Sequence, residues 1–440
     1  MDLEIAKCCR VCGNPYLELV FDVGDQHLQG SFEIVGMAKP STAKIPMQLL
    51  RCDPGAQTGA CGLLQLRHRV PPEVLYANYW YTSGTTETMT RHLAAIAATA
   101  LEHSSMIEER VLDIGCNDGT LLDSYPENIE KWGVDPSNIA ATTADRINLV
   151  QDTFPSSTLR ERLAGKKFDA VTSIAMYYDL KDPVGFAAEI QKLLADDGIW
   201  IVEMSYLPMM LHTNSVDTVC HEHLEYYSLA ALEHIAAAVD MRIIDASLND
   251  TNGGSIQLLL CNKSSQLHRD TSPALQLLRD FETRIELQTA RPIAAFRQRV
   301  EIQREEIVAL VREIRERKET IHVYGASTKG NVLIQWCGFD NHQLPFAADR
   351  NPRKVGAKTI GTAIEIISEE DSRAMQPDYY LVLPWHFRRE ILQREKNTIM
   401  AGTRMIFPLP ELLMVSSDNF EEALAASENY LEAFKAEVGI

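Results

Sequence analysis

The 440-residue sequence predicts two α/β halves preceded by a small cysteine-bearing domain. Three observations carry that reading. Apolar strand-like runs alternate with helical stretches through the middle of the chain and again through its last third, the pattern of parallel sheets. Each series contains a strand that runs into a glycine turn, "RVLDIGCNDG" at 110–119 and "IHVYGASTKG" at 321–330. The first 75 residues are rich in Cys, Gly and Pro, and a piece that short builds little core alone.

The elements follow in order. Residues 1–75 hold the strand-like pieces "LELVFDVG" and "IPMQLLRC". "PPEVLYANYWYTSGTTETMTRHLAAIAATALEHS" reads as a tyrosine-rich loop leading into a helix. "RVLDIG", "KWGVDPS", "FDAVTSIAMYY", "GIWIVEMSY" and "MRIIDASL" read as strands, with "PVGFAAEIQKLLADD" helical between them. A linker starts at "HRDTSP", and 275–319 is one or two amphipathic helices. The second α/β set is "TIHVYGASTKGN", "PFAADRNPRKVG", "DYYLVLPWHFRRE" and "TRMIFPLPEL". "SSDNFEEALAASENYLEAFKAEVGI" reads as a C-terminal helix. The expected domains are 1–75, 76–290 and 291–440.

The formal charge of −19 argues against a nucleic-acid partner held by a general basic footprint. No run of 18 apolar residues is present, which excludes an apolar helical span, and the N-terminus lacks the layout of a signal peptide. A cytoplasmic protein is expected, a monomer or weak oligomer with no membrane partner.

Nine cysteines without a secretion signal do not suggest a disulfide framework. "CRVC" places Cys9 and Cys12 to aim two thiolates at one point, and Cys52 and Cys61 would complete a tetrahedron for structural zinc. The second pair is widely spaced, so "DPGAQTGA" must loop out; Cys8 is an alternative to Cys9. Free thiols are the plain alternative.

"VLDIGCNDGTLL" is strand, Asp113, Gly115, Asn117, Gly119, helix. Glycines there let a ligand approach the backbone at the strand-to-helix switch. Asn117 stands where a dinucleotide fingerprint has its second glycine. Asp135 ends the next strand, placed to accept hydrogen bonds from the two ribose hydroxyls of an adenosine. This is the layout of class I S-adenosylmethionine methyltransferases. Asp152 and Phe154 fall where the adenine is usually held. A phosphate or nicotinamide loop in another doubly wound fold is the competing reading.

In the second turn, Gly325 and Gly330 bracket "ASTK". Backbone amides at the helix start around Ser327 suit a pyrophosphate, and Lys329 could add a charge-assisted bond. Asp349, Asn351 and Lys354 sit at the next strand end, where ligands bind in such sheets. A solvated loop, or a nicotinamide site with Asp349 as its ribose acid, are the alternatives.

"VDTVCHEHLEYYSL" at 216–229 packs two histidines, a glutamate and two tyrosines together. It is a metal site, a proton-transfer site or a polar loop. If extended, His221 and His223 share a face; if turned, Glu222 could orient an imidazole. The spacing is not HExxH.

These motifs, with "CRVCG", "FDVGDQHLQGSF", "CGLLQLRH", "YANYWYTSGTTETMTRH", "NGGSIQ", "DRNPRKVG" and "LPWHF", resemble the sugar C-methyltransferases that act on nucleotide-linked 4-keto-6-deoxy-hexoses. The resemblance spans nearly the whole chain. It implies a zinc-binding domain, a class I S-adenosylmethionine methyltransferase domain of Rossmann-like build, and a second Rossmann-like domain for the sugar nucleotide. It implies His223 as the base that removes the proton beside the ketone, at C-3′, with Glu222 implicated. It implies Tyr79 or Tyr81 in the site, and His221 and Tyr226 toward the substrate. Cys220 stands where the family has a tyrosine, and Tyr177 or Tyr178 where it has a further histidine. The alternatives are a methyltransferase of this build acting on oxygen, nitrogen or a non-sugar ketone, and a zinc-stabilised binding protein without catalysis.

Overall fold

The computed structural model describes residues 3–34, 36–37, 39–75, 82–268, 271–427 and 429–440. Three main sheets organise them. The middle one has seven strands, in the order Met241–Asn249, Ser255–Asn262, Leu194–Ser205, Phe168–Ile174, Arg110–Ile114, Glu130–Val134, Asn148–Val150. The chain moves outward from Arg110–Ile114 in one direction, then returns to add Phe168–Ile174 on its other side. That reversal opens a crevice at the strand ends, and Gly115 follows Ile114 directly into it.

One expectation is corrected here. This sheet is not wholly parallel: Ser255–Asn262 runs antiparallel to both Leu194–Ser205 and Met241–Asn249. All eight of its residues are buried, so it shows no alternation in the sequence. The helix read through "PVGFAAEIQKLLADD" also stops early. Asp182 caps its start by accepting from the Gly185 amide, and it ends at Leu193, where Leu194 enters the strand. The segment 275–319 forms two helices, Pro273–Arg284 and Arg291–Glu316, and the C-terminal segment also forms two, Phe420–Ala425 and Asn429–Val438.

The C-terminal sheet has eight strands with Ile321–Tyr324 at its own reversal point, between Phe346–Asp349 and Tyr379–Val382. Its outermost strand is Phe32–Glu33, which pairs with Lys358–Thr359. The N-terminal residues therefore do not stand apart as a cap. Their own antiparallel sheet, Leu17–Gln26, Ile45–Cys52 and Leu64–Leu66, takes Glu225–Tyr226 as its fourth strand.

The helix Arg291–Glu316 buries Ile293, Phe296, Val300, Ile307, Val311 and Ile314, a stripe at helical spacing. Phe296 meets Phe21 edge to face at 6.1 Å. One apolar cluster runs from Phe21, Met47 and Leu64 through this helix to Leu333 and Tyr380 of the C-terminal half. A domain too small to build a core has thus borrowed one. No helix among the described residues is long and apolar enough to cross a membrane.

Candidate active site

The first glycine turn is built from backbone conformations that glycine tolerates best. Gly115 and Gly119 have φ of 78° and 77°, and Asn117 has 49°, a left-handed value that asparagine adopts more readily than most residues. Asp135 holds the turn: its Oδ2 accepts from the Asn117 amide at 2.9 Å and its Oδ1 from the Ser137 amide at 2.7 Å. A carboxylate has about four acceptor positions, so two remain for a pair of hydroxyls. Asp113 is buried and accepts from the Thr172 hydroxyl at 2.6 Å. Asp152 takes the Ser156 hydroxyl at 2.7 Å, and half-buried Phe154 meets Phe186 at 4.8 Å. This set of acceptors, at the reversal point of a doubly wound sheet, fits the hydroxyls of an adenosine.

The HEH segment is a turn, not a strand, with the His223 amide donating to Cys220 O at 3.2 Å. What orients the imidazole is not Glu222 but a backbone carbonyl. His223 Nδ1 lies 3.0 Å from Thr218 O. A carbonyl only accepts, so Nδ1 carries the proton and Nε2 is left with its lone pair. Burial, and then the charge of Lys329, push His223 down to about 3. His221 points elsewhere, with Nδ1 on Gln29 Oε1 at 2.6 Å, and burial lowers it to about 4. Burial raises Glu222; a side chain at Gly30 would collide with its Oε1. The two histidines are thus committed to separate partners. The one metal-competent cluster among the described residues lies elsewhere.

Of the two tyrosines at the expected histidine position, Tyr178 is the one against His223, the two rings 4.2 Å apart. Tyr177 turns into the core. Its hydroxyl donates to Pro183 O at 2.8 Å, and its ring packs on Phe186, Trp200 and Tyr227. Cys220 is fully buried nearby, and Tyr226 is buried with no hydrogen-bond partner for its hydroxyl among the described residues. Tyr79 and Tyr81 lie outside the described residues.

The second glycine turn is more closed than a phosphate cradle. A Cβ on Gly325 would meet Pro384 at 2.7 Å, and one on Gly330 would meet Leu383 at 2.5 Å. Ser327 caps its own helix by accepting from the Gly330 amide at 3.0 Å. Asp349 takes the amides of Ala326 and Asn351, each at 2.8 Å, and Lys354 donates to Ala326 O at 2.7 Å. Lys329 reaches across to Asn252 O at 2.6 Å. Burial lowers Lys329 with Asp217 and Cys220 opposing, and its charge in turn lowers His223 and His386, so it stands among the groups around His223.

Cys9, Cys12, Cys52 and Cys61 converge, with all four sulfurs within 4.8 Å of one another. The Cys9–Cys61 and Cys12–Cys52 separations are 3.4 and 3.5 Å. The edge of a zinc–thiolate tetrahedron with bonds of about 2.3 Å is about 3.8 Å, so the set fits zinc with little movement. The Asn14 amide donates to Cys52 Sγ at 3.4 Å, a typical outer contact of such a site. Cys8 is exposed and outside the cluster.

Three family models match in series. "Putative zinc binding domain" covers residues 9–76, "Methyltransferase domain" 82–246 and "C-methyltransferase C-terminal domain" 250–410. The chain is 28% identical over 419 residues to C-methyltransferase NovU of Streptomyces niveus, covering 93% of this chain and 97% of that protein. The chain is a methyltransferase. A shorter match, 31% identical over 116 residues, is to the tRNA U34 carboxymethyltransferase of Sulfurimonas denitrificans, covering 24% of this chain and 38% of that one. Among solved structures, an S-adenosylmethionine-dependent methyltransferase from Clostridium acetobutylicum aligns at 12% identity and a TM-score of 0.32, over 43% of this chain and 95% of that one.

Several residues packed about the HEH segment carry no signal of their own in the sequence. Asp217 is fully buried and accepts from Trp385 Nε1 at 2.9 Å. His386, next to that tryptophan, has no partner for Nδ1 among the described residues, and burial lowers it to about 3. Gly253, in "NGGSIQ", lies against the Trp385 ring. The family-like motifs "NGGSIQ" and "LPWHF" were the available clue; they touch each other.

Asp113 gives the methyltransferase a pH-dependent liability. Burial raises its carboxyl from 3.8 to about 7, with the Thr172 hydroxyl opposing and the Asp135 charge adding. A raised carboxyl stabilises the fold fully below pH 3.8, and that contribution is lost as pH rises toward 7. Asp113→Asn should therefore be more stable than the parent at pH 8 by roughly 4 kcal/mol, the difference becoming small near pH 4. Denaturant melts of both proteins across that range check this. A constant difference at all pH values would show that Asp113 is ionised throughout.

Proposed function

We propose that the methyltransferase places a methyl group on the carbon beside the ketone, C-3′, of a nucleotide-linked 4-keto-6-deoxy-hexose, with His223 as the base. One observation carries this reading: His223 is held in the tautomer that leaves Nε2 unprotonated, in a half-buried pocket beside the Lys329 side chain. A neutral imidazole removes a weakly acidic proton, and a cation nearby stabilises the enolate oxygen that results. Oxygen methylation forms no enolate and needs no cation at a carbonyl oxygen.

S-adenosylmethionine supplies the methyl group when bound. In this reading Asp113, Gly115, Asn117, Gly119 and Asp135 hold it, with Asp152 and Phe154 about the adenine. Nε2 of His223 takes the proton, and the electron pair moves to the carbonyl oxygen, facing Lys329 and the Tyr178 phenol. Glu222 and Tyr226 line the same loop. Gly325, Ser327, Asp349, Asn351 and Lys354 form the C-terminal wall toward the nucleotide. Support for a sugar substrate comes from "HEHLEYYSL" and "GASTKGN", and support for carbon as the acceptor from the NovU match.

The test is methyl transfer from labelled S-adenosylmethionine to a panel of nucleotide-linked 4-keto-6-deoxy-hexoses, with the product's methyl located by NMR. A methyl on carbon adjacent to the ketone is expected. A methyl on oxygen, or donor binding with no transfer to any member of the panel, would overturn the proposal.

A further inference from the structure

The zinc-binding turn does not end at its metal ligands. Arg10 lies inside "CRVC", between Cys9 and Cys12, and its side chain leaves the cluster for the HEH segment. Arg10 Nη1 lies 3.4 Å from Leu224 O, and its Nε lies 3.6 Å from Glu225 Oε1. Both side chains are almost wholly buried, at 8% and 0% exposure, and burial raises the Glu225 carboxyl well above its ordinary value with Arg10 opposing. The Arg10 amide donates to Gln65 Oε1 at 3.0 Å, and Gln65 Nε2 returns a bond to Cys8 O at 3.1 Å. Gln65 is itself the strand partner of Glu225.

Leu224, the residue after the base, is thereby clamped from both sides. Its amide donates to Tyr178 O at 2.7 Å, in the short helical turn Tyr177–Asp179 that follows the strand Phe168–Ile174. Its carbonyl accepts from the Leu66 amide at 2.8 Å, and from Arg10. With His223 Nδ1 on Thr218 O, both ends of the turn bearing the base are fixed, one of them through the zinc-binding domain.

We propose that Arg10 is a positioning residue for His223, so that the zinc-bearing domain sets the placement of the base rather than serving only to stabilise its own fold. The placement of a reacting group matters on the ångström scale, and a guanidinium makes both contacts where an ammonium makes one. The catalytic half of this inference rests on the proposed role of His223; the structural half does not.

The test uses the full-length zinc-loaded protein in four forms: wild type, Arg10→Gln, Arg10→Lys, and the double variant Arg10→Gln/Glu225→Gln, which removes the buried unpaired carboxylate. Three quantities are read: amide hydrogen exchange over 220–228, solvent-deuterium exchange beside the ketone of the sugar nucleotide, and affinity for S-adenosylmethionine. Arg10→Gln and the double variant should show faster amide exchange in that segment and ketone-side exchange lower by roughly 10- to 100-fold, the scale set by misplacing a reacting group. Arg10→Lys should recover part of it. Zinc content and donor affinity should be unchanged. Wild-type amide protection at 220–228 in Arg10→Gln, or full ketone-side exchange in the double variant, would overturn the proposal. If the wild-type protein exchanges no member of the sugar panel, the sugar assignment fails, and amide protection alone then decides whether Arg10 holds the loop.

Discussion

His223→Ala is expected to slow methyl transfer by roughly 10²–10⁴-fold, the usual contribution of a positioned general base. The same loss is expected in solvent-deuterium exchange beside the ketone with the methyl donor absent, because the proton-removal step precedes transfer. Donor affinity should be unchanged, since Asp135 and its turn belong to a different loop. The pH dependence gives a second check. The base must be neutral to act, and burial with the Lys329 charge holds His223 at about 3 against an ordinary 6.5. Activity should therefore show no acidic limb near 6.5; Lys329→Met should move that limb upward. The same depression makes His223 a stabilising group that is fully effective above pH 6.5 and progressively lost below it. An undiminished exchange rate in His223→Ala would remove it from the mechanism.

Cys52→Ser should release zinc and melt the N-terminal sheet. Structural zinc contributes apparent binding energies on the order of 10 kcal/mol in small domains, and here the four ligands close a domain with little core of its own. The damage should spread, because Leu64–Leu66 pairs with Glu225–Tyr226 beside the base, and Phe32–Glu33 completes the C-terminal sheet. The expected result is loss of one zinc per chain, a lower melting temperature, and reduced transfer with the sugar panel. Cys8→Ser is the control: exposed and outside the cluster, it should retain metal and stability. Metal analysis and calorimetry on the two variants decide the matter. A Cys52→Ser protein with full zinc and an unchanged melting temperature would remove Cys52 from the site.

The chemistry that is local in the chain was legible in the chain. Gly115 and Gly119 announce a turn because a positive φ there is a backbone requirement, independent of what packs on it. "CRVC" announces a chelate because two thiols three apart meet on one turn. Strand and helix periodicity located most elements of both α/β halves, and failed at Ser255–Asn262, where burial on both faces erases the alternation.

The reading of "CHEHL" shows the limit from the other side. Sequence spacing allowed a strand or a turn, and could not name the partner of the imidazole, because that partner is a carbonyl, Thr218 O, with no side-chain signature. Nor could it choose between Tyr177 and Tyr178, adjacent residues that point one to the core and one to the base.

The sequence by itself determined the order of domains, the two glycine turns, the four converging sulfurs and the cluster that contains His223, since each depends on residue type and short spacing. Only the tertiary structure decided what surrounds that histidine. Arg10, Lys329, Asp217, Trp385 and His386 come from three regions of the chain, brought around one loop by burial of a shared apolar core. The same burial sets the proton affinity of His223, because removal from water penalises the charged imidazole, and no pattern in the sequence measures how much water is removed.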